Sequence, residues 1–108
     1  MPSYLVQAAY TSEAVASLIN HPQNRGEIVR KTIEKLGGRL IGSWLCFGDY
    51  DIVLIAEMPD QVSAAAIALA AAGGGSLKAI KTTPLLTAEE GLAAAQKAAT
   101  SGYMPVQK

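Results

Sequence analysis

The residues whose side chains are best suited to proton transfer or ligand binding are adjacent in the segment Gly48-Asp49-Tyr50-Asp51. A tyrosine hydroxyl can donate a proton or a hydrogen bond, and a neighbouring aspartate can orient it or act as a base. Tyr50 and Asp51 are therefore catalytic candidates, and all four residues are candidate ligand-binding groups. The segment also has a structural interpretation, because Gly/Asp turns close many β-hairpins. In that interpretation the two aspartates accept hydrogen bonds from amides of the turn.

His21, Trp44 and Cys46 are the other side chains with chemical potential. His21, the single histidine, precedes Pro22 in a predicted loop, where it could shuttle protons at the rim of a pocket as a third catalytic candidate. A metal site usually needs three or four ligands, so we expect no metal, and we expect no cofactor. Trp44 is a further candidate ligand contact, although packing accounts for both Trp44 and Cys46.

The composition limits the partners and the location of the chain. The 108 residues predict a single domain, 1–108. Nine Lys and Arg balance nine Asp and Glu, which argues against binding to nucleic acid or to an anionic membrane. One Trp, four Tyr and one Phe are also few for an RNA-binding sheet. Without a membrane span or a secretion signal, and with one cysteine, we expect a cytoplasmic protein.

Apolar patterns predict four strands and four helices. In chain order they are a strand at 4–10, a short helix that begins after Thr11 and ends before Pro22, a helix at 25–36, strands at 40–47 and 51–58, a helix at 61–72, a strand at 77–83 and a helix at 88–99. Alternation places Leu40, Gly42 and Trp44 on one face of the second strand. Arg25 is assigned to the solvent side of its helix, and Pro84 is expected to end the fourth strand.

The order of these elements predicts an α+β fold, the ferredoxin-like βαββαβ arrangement with an extra C-terminal helix. The core spans about 3–83, the extra helix 88–99 and the tail 101–108, and the hairpin around the GDYD turn is expected at the centre of the sheet. Both of its strands are apolar on both faces, which is typical of burial on both sides. Because the helices cover one face, the other needs cover from a second copy in a homodimer or larger homo-oligomer, or from the C-terminal helix.

Several blocks of the sequence resemble the GYD domain family. They are MPSYLVQAAYT, HPQNRGEIVRKTIEKLGG, FGDYDIVLIAEMPD and KAIKTTPLLTAEE, and together they span about residues 1–95. The resemblance implies a ferredoxin-like fold related to the dimeric α/β-barrel proteins, and it implies no activity.

The leading functional hypothesis is a homodimer that binds a small apolar ligand between sheet and helices, with the GDYD turn at the mouth of the pocket. The only argument for cofactor-free catalysis is an analogy of fold with some dimeric α/β-barrel enzymes. The sequence therefore leaves open whether the protein is an enzyme. The alternative is a non-catalytic assembly or regulatory module that acts through its subunit interface.

Overall fold

The computed structural model describes residues 1–107, which form one four-stranded sheet and four helices. The elements are β1 (Ser3–Tyr10), α1 (Ser12–Asn20), α2 (Arg25–Lys35), β2 (Arg39–Leu45), β3 (Ile52–Glu57), α3 (Gln61–Gly73), β4 (Leu77–Leu85) and α4 (Ala88–Ala99). The strand order is β2-β3-β1-β4, and each neighbouring pair is antiparallel. This is the predicted ferredoxin-like arrangement. In residues 1–107, no helix combines the length and the apolar character that crossing a membrane requires.

The β2–β3 hairpin does not form the centre of the sheet, so that expectation was wrong. β1 pairs with both β3 and β4, which places β1 and β3 in the middle and leaves β2 at an edge. The apolar pattern of β2 also does not reflect burial on both sides, because Leu45 is 83% exposed. The exposure of β2 therefore follows from its position at the edge of the sheet, although its apolar composition predicted burial on both faces.

A register shift in β2 changes which of its residues share a face. Leu40 pairs with Ala56 and Gly42 pairs with Ile55, so β2 carries one extra residue between these pairs. Leu40 is buried on the helix-covered face. Gly42 and Trp44 lie on the opposite face, opposite residues of β3 that point away from the core. Strict alternation, which put all three residues of β2 on one face, was wrong because of this bulge.

The core lies between the sheet and the helices. It is formed by Tyr4, Val6, Ile33, Leu40, Leu54, Ala56, Met58 and Ala64. Ile33 of α2 is fully buried, and α2 ends two residues later, at Lys35, where two backbone hydrogen bonds close the helix. The N–H of Gly38 donates to the carbonyl of Ile33 at 2.9 Å, and the N–H of Gly37 donates to that of Glu34 at 3.0 Å. Gly37 has φ of +86°, the left-handed conformation that this type of helix end requires.

The face of the sheet opposite the core, which we call the open face, has no helix across it. It carries Leu5 and Gln7 of β1, Ile41, Gly42 and Trp44 of β2, Val53 and Ile55 of β3, and Lys81 and Thr83 of β4. No residue of α4 is buried. The radius of gyration is 17.2 Å, against about 13 Å for a compact domain of this length. The alternative in which the C-terminal helix covers this face within the same chain is therefore wrong.

β4 continues through Pro84 to Leu85, beyond the end that the proline predicted. Pro84 pairs with Tyr4 of β1, and β4 has no strand on its other side. A proline lacks an N–H to donate, which an edge strand tolerates because one of its sides has no ladder.

Candidate functional site

The GDYD turn is held in shape by its own backbone. Residues 46–51 join β2 to β3, and the N–H of Cys46 donates to the carbonyl of Asp51 at 2.8 Å. The thiol of Cys46 donates to the carbonyl of Tyr50 at 3.2 Å. Gly48 has φ of +133°, a conformation that residues with side chains rarely adopt. The turn therefore closes the hairpin, as its structural interpretation requires.

Asp51 also attaches the turn to β1. Its N–H donates to the carbonyl of Ala8 at 2.9 Å, and its Oδ2 accepts the N–H of Tyr10 at 2.8 Å. The last paired residues of β1 and β3 are Ala8 and Ile52, so Tyr10 lies beyond the end of that ladder. The carboxylate of Asp51 supplies the acceptor that β3 no longer provides, and it thereby fixes the backbone that carries the side chain of Tyr10.

The remaining residues of the turn are near the cavities of the molecule without forming their walls. Asp49 is exposed and Tyr50 is half-buried. Gly48, Asp49 and Tyr50 line none of the five cavities described for residues 1–107. Ile52, the residue that follows the turn, lines two of them.

The structure places Trp44 in the wall of one cavity and leaves His21 outside the cavity walls described for residues 1–107. His21 is exposed at the end of α1, and its neighbour Pro22 lines a cavity of about 330 Å³ together with Trp44. The indole ring lies over Gly42, where an added Cβ would approach Cη2 of Trp44 to 2.8 Å. Within residues 1–107, no group of three or more His, Cys, Asp and Glu side chains could hold a metal ion.

A second cavity of about 290 Å³ lies between the sheet and helices α2 and α3, and we call it the sheet–helix cavity. Most of its wall is apolar, with Val6, Val29, Leu54, Ile67, Leu77 and Ile80 as its larger aliphatic residues. Its polar side chains are those of Tyr10, Arg25 and Ser76. The cavity thus lies between sheet and helices, and its polar groups come from β1, α2 and the α3–β4 loop rather than from the GDYD turn.

Arg25 connects four neighbouring cavities, because it lines the two just described and two smaller ones beside them. The side chain is half-buried, and its Nη1 donates to Oε1 of Gln23 at 3.0 Å. The ion pairs found in residues 1–107 join Arg30 to Glu27 and Arg39 to Glu57, so Arg25 has no carboxylate partner there. A guanidinium carries five N–H donors, and most of those of Arg25 are available to a ligand or to water.

Sequence reasoning missed both Arg25 and Tyr10. Arg25 was assigned to the solvent side of its helix, yet it stands four residues before Val29 and so extends the apolar stripe of α2 toward its N-terminus. That spacing was the signal that could have identified it. Tyr10 follows Val6 and Ala8 at alternate positions of β1, and all three are buried.

Comparisons with known proteins agree with this architecture. The family model for the GYD domain matches residues 4–95. A relative from Thermus thermophilus, the glutamine synthetase and cystathionine beta-lyase binding protein, is 27% identical over 78 residues, which are 72% of this chain and 82% of that protein. The crystal structure of MtbAldR (Rv2779c) has a TM-score of 0.55 and 12% identity, over 80% of this chain and 52% of that one.

The likeness to the solved structure concerns the fold alone, and this chain spans about half the length of that one. The family match is more extensive, because it runs from β1 into α4 and includes the GDYD turn. The chain therefore belongs to the GYD domain family.

Proposed function

We propose that this protein is a non-catalytic binding module that works as a homodimer joined through its open face. The observation that supports the proposal is the apolar surface that α4 leaves uncovered, where Trp44 is 53% and Ile41 is 48% exposed. A depression of about 670 Å³ adjoins this surface; its wall combines apolar residues (Ile41, Ile55, Leu85 and Leu86 among them) with polar ones (Ser3, Glu57, Thr87 and Glu90). Contiguous apolar surface of this kind marks a site of association.

The amount of exposed surface is that of a chain with room for a partner, and the open face, α4 and the tail all contribute to it. The protomer exposes 7753 Å², whereas a compact monomer of 11.2 kDa exposes about 5,700 Å². The excess of roughly 2,000 Å² exceeds the ~800 Å² that each partner buries in a standard stable interface. Two identical sheet faces can pack through their apolar part on β2 and β3, because a two-fold axis brings the same patch of each subunit together.

A binding role is favoured over catalysis by two further observations. The carboxylate of Asp51 accepts the N–H of Tyr10, which gives this side chain a structural role within the protomer. The Thermus thermophilus relative is named as a binding protein of two enzymes. The catalytic proposal for Tyr50 and Asp51 predicts that Tyr50→Phe and Asp51→Asn abolish a turnover, whereas we expect these substitutions to act through the stability of the hairpin and the position of Tyr10.

Sedimentation velocity at micromolar concentration tests the dimer. We expect the wild type to sediment as a dimer and Ile55→Glu to sediment as a monomer, because the new carboxylate would be buried at the interface. Ile19→Glu is the matched control, since Ile19 is 72% exposed on α1, away from the open face. Trp44→Glu is a second variant on the open face, and circular dichroism confirms folding of each variant. A monomeric wild type, or equal effects of Ile19→Glu and Ile55→Glu, would contradict the proposal.

Small-molecule binding is a second candidate function, favoured by the sheet–helix cavity. Its volume of about 290 Å³ is at the lower end of the range for ligand pockets, and a largely apolar wall with a few polar groups is typical of such sites. This candidate is stated for the protomer, whose own sheet and helices line the cavity.

A further inference from the structure

We propose that the sheet–helix cavity binds a small monocarboxylate with an apolar tail, and that Arg25 and Tyr10 hold the carboxylate. The inference rests on the proposed small-molecule function and adds the chemical class of the ligand and the residues that select it. The tail would lie against the aliphatic wall, and the carboxylate would lie beside Arg25 and Tyr10, which line the same cavity.

The charge of Arg25 is the first argument. The guanidinium is half-buried beside an apolar wall and has no carboxylate partner within residues 1–107. A cation that has lost part of its hydration is stabilised by an anion, and a carboxylate matches the planar fork of the guanidinium with two parallel hydrogen bonds. The hydrogen bond to Gln23 uses one of the five donors, which leaves such a pair available.

The absence of acidic residues narrows the class of ligand further. Among the described residues that line the four cavities around Arg25, none is Asp or Glu. An amino acid or an amine would therefore bring an ammonium group without a partner, which is costly at a partly desolvated site. A single guanidinium and apolar walls also suit one negative charge better than the charge of a phosphate ester.

The volume of the cavity sets the size of the tail. Liquid water occupies about 30 Å³ per molecule, so a cavity of about 290 Å³ has room for roughly ten non-hydrogen atoms, the size of octanoate. Longer chains would have to extend into the adjoining cavities or into solvent.

Tyr10 provides the second polar group and connects the site to the GDYD turn. Its side chain is 9% exposed, lines three of the four cavities around Arg25, and has no hydrogen bond from its hydroxyl among the described residues. The hydroxyl can therefore donate to a carboxylate. Asp51 acts as a positioning residue, because its carboxylate holds the backbone N–H of Tyr10.

Calorimetric titration of the full chain with octanoate and with octanol tests the proposal. The two probes share the tail and differ in charge. We expect octanoate to bind more tightly than octanol, and Arg25→Gln to weaken octanoate binding about 10- to 100-fold without changing octanol binding, as expected for hydrogen bonds to a charged group. Tyr10→Phe should weaken octanoate binding several-fold. Arg30→Gln is the matched control on α2, because Arg30 pairs with Glu27 and lines none of these cavities.

The outcomes distinguish a wrong carboxylate assignment from a failure of small-molecule binding itself. If both probes bind equally and Arg25→Gln changes neither, the cavity is an apolar binding site and the carboxylate assignment is wrong. If neither probe binds, small-molecule binding itself is contradicted at this size. Ala71→Leu fills the cavity and should weaken both probes, so its failure to do so would place the binding elsewhere. Should Arg25→Gln fail to fold by circular dichroism, the octanoate-to-octanol ratio of the wild type and Tyr10→Phe decide the question.

Discussion

At the scale of single residues, Asp51 shows how one side chain serves two elements. Its carboxylate accepts the N–H of Tyr10 at 2.8 Å, 41 residues away in the chain. The sequence suggested that the aspartates of the turn accept hydrogen bonds from amides of the same turn. The partner is instead the central strand, because β1 extends past the end of β3 and leaves a donor without a ladder acceptor. No local pattern reveals such a contact, since it depends on how far two distant strands overlap.

Removal of this carboxylate should destabilise the protein. Asp51→Ala leaves the N–H of a largely buried strand residue without an acceptor, which costs about 1–3 kcal/mol of the free energy of unfolding. Urea denaturation measures the loss. Asp49→Ala is the control, because Asp49 is exposed and should change the stability by less than about 0.5 kcal/mol. Equal effects of the two substitutions would show that the hydrogen bond of Asp51 contributes nothing.

Asp60 gives a prediction for pH. Its Oδ1 accepts the N–H of Ser63 at 2.7 Å at the start of α3, and this backbone hydrogen bond, with one from the Ser63 side chain, lowers the pKa of Asp60. A lowered folded-state pKa contributes stability above the unfolded value of about 3.9 and loses it as the pH falls through the folded value.

The substitution Asp60→Asn keeps a good helix cap and removes this titration. The difference in Tm between wild type and variant should therefore be largest near neutral pH and shrink below about pH 4, the region of the aspartate pKa. Calorimetry between neutral and acidic pH measures it. A difference that stays constant or grows as the pH falls would contradict the assignment.

At the scale of elements, the helix starts were predictable and the strand registers were not. Thr11, Asn24, Asp60 and Thr87 each cap a helix by accepting an N–H three residues ahead, so the information is local. The bulge in β2 is different, because it depends on how the strand packs under α2 and beside β3. The side of α2 on which Arg25 lies also depends on how the helix packs on the sheet. Arg25 was therefore assigned to solvent, although its helix was correctly predicted.

Gly38, at the junction between α2 and β2, has no space for a side chain. A Cβ at Gly38 would lie 2.6 Å from the carbonyl oxygen of Glu57 and 3.0 Å from Cγ2 of Ile33. A backbone oxygen cannot move away without disturbing β3, so Gly38→Ala should cost about 1–3 kcal/mol of the free energy of unfolding. Gly91→Ala in α4 is the control, since open space surrounds that position. Denaturation by urea compares them, and an unchanged midpoint for Gly38→Ala would contradict the packing described.

At the scale of the whole molecule, the fold class followed from the order of the elements, and the proposal of a partner surface followed from their composition. The sequence left two ways to cover the second face of the sheet, and the structure removes one, because α4 has no buried residue. The candidate ligand site was less predictable. Its polar groups, Tyr10 and Arg25, come from β1 and α2, and only the fold brings them to one cavity.

α4 should be dispensable for the fold of the protomer. In the Ile55→Glu background, where we expect a monomer, deletion of residues 88–108 should change the free energy of unfolding by less than about 1 kcal/mol, because the deletion exposes almost no core. Thermal and urea denaturation measure the difference. Unfolding of the shortened chain would show that α4 supports the core.

The two edge strands of the sheet, β2 and β4, affect how large an assembly can become. β4 presents Lys78, Lys81 and Pro84, and β2 carries a bulge. The charges of the two lysines, the N–H that Pro84 lacks and the bulge in β2 all disfavour the addition of a strand from another chain at these edges. Such edge-to-edge addition leads to fibres. In the proposed dimer, association would therefore take place through the open face, and pairing of two protomers would cover that face and end the assembly.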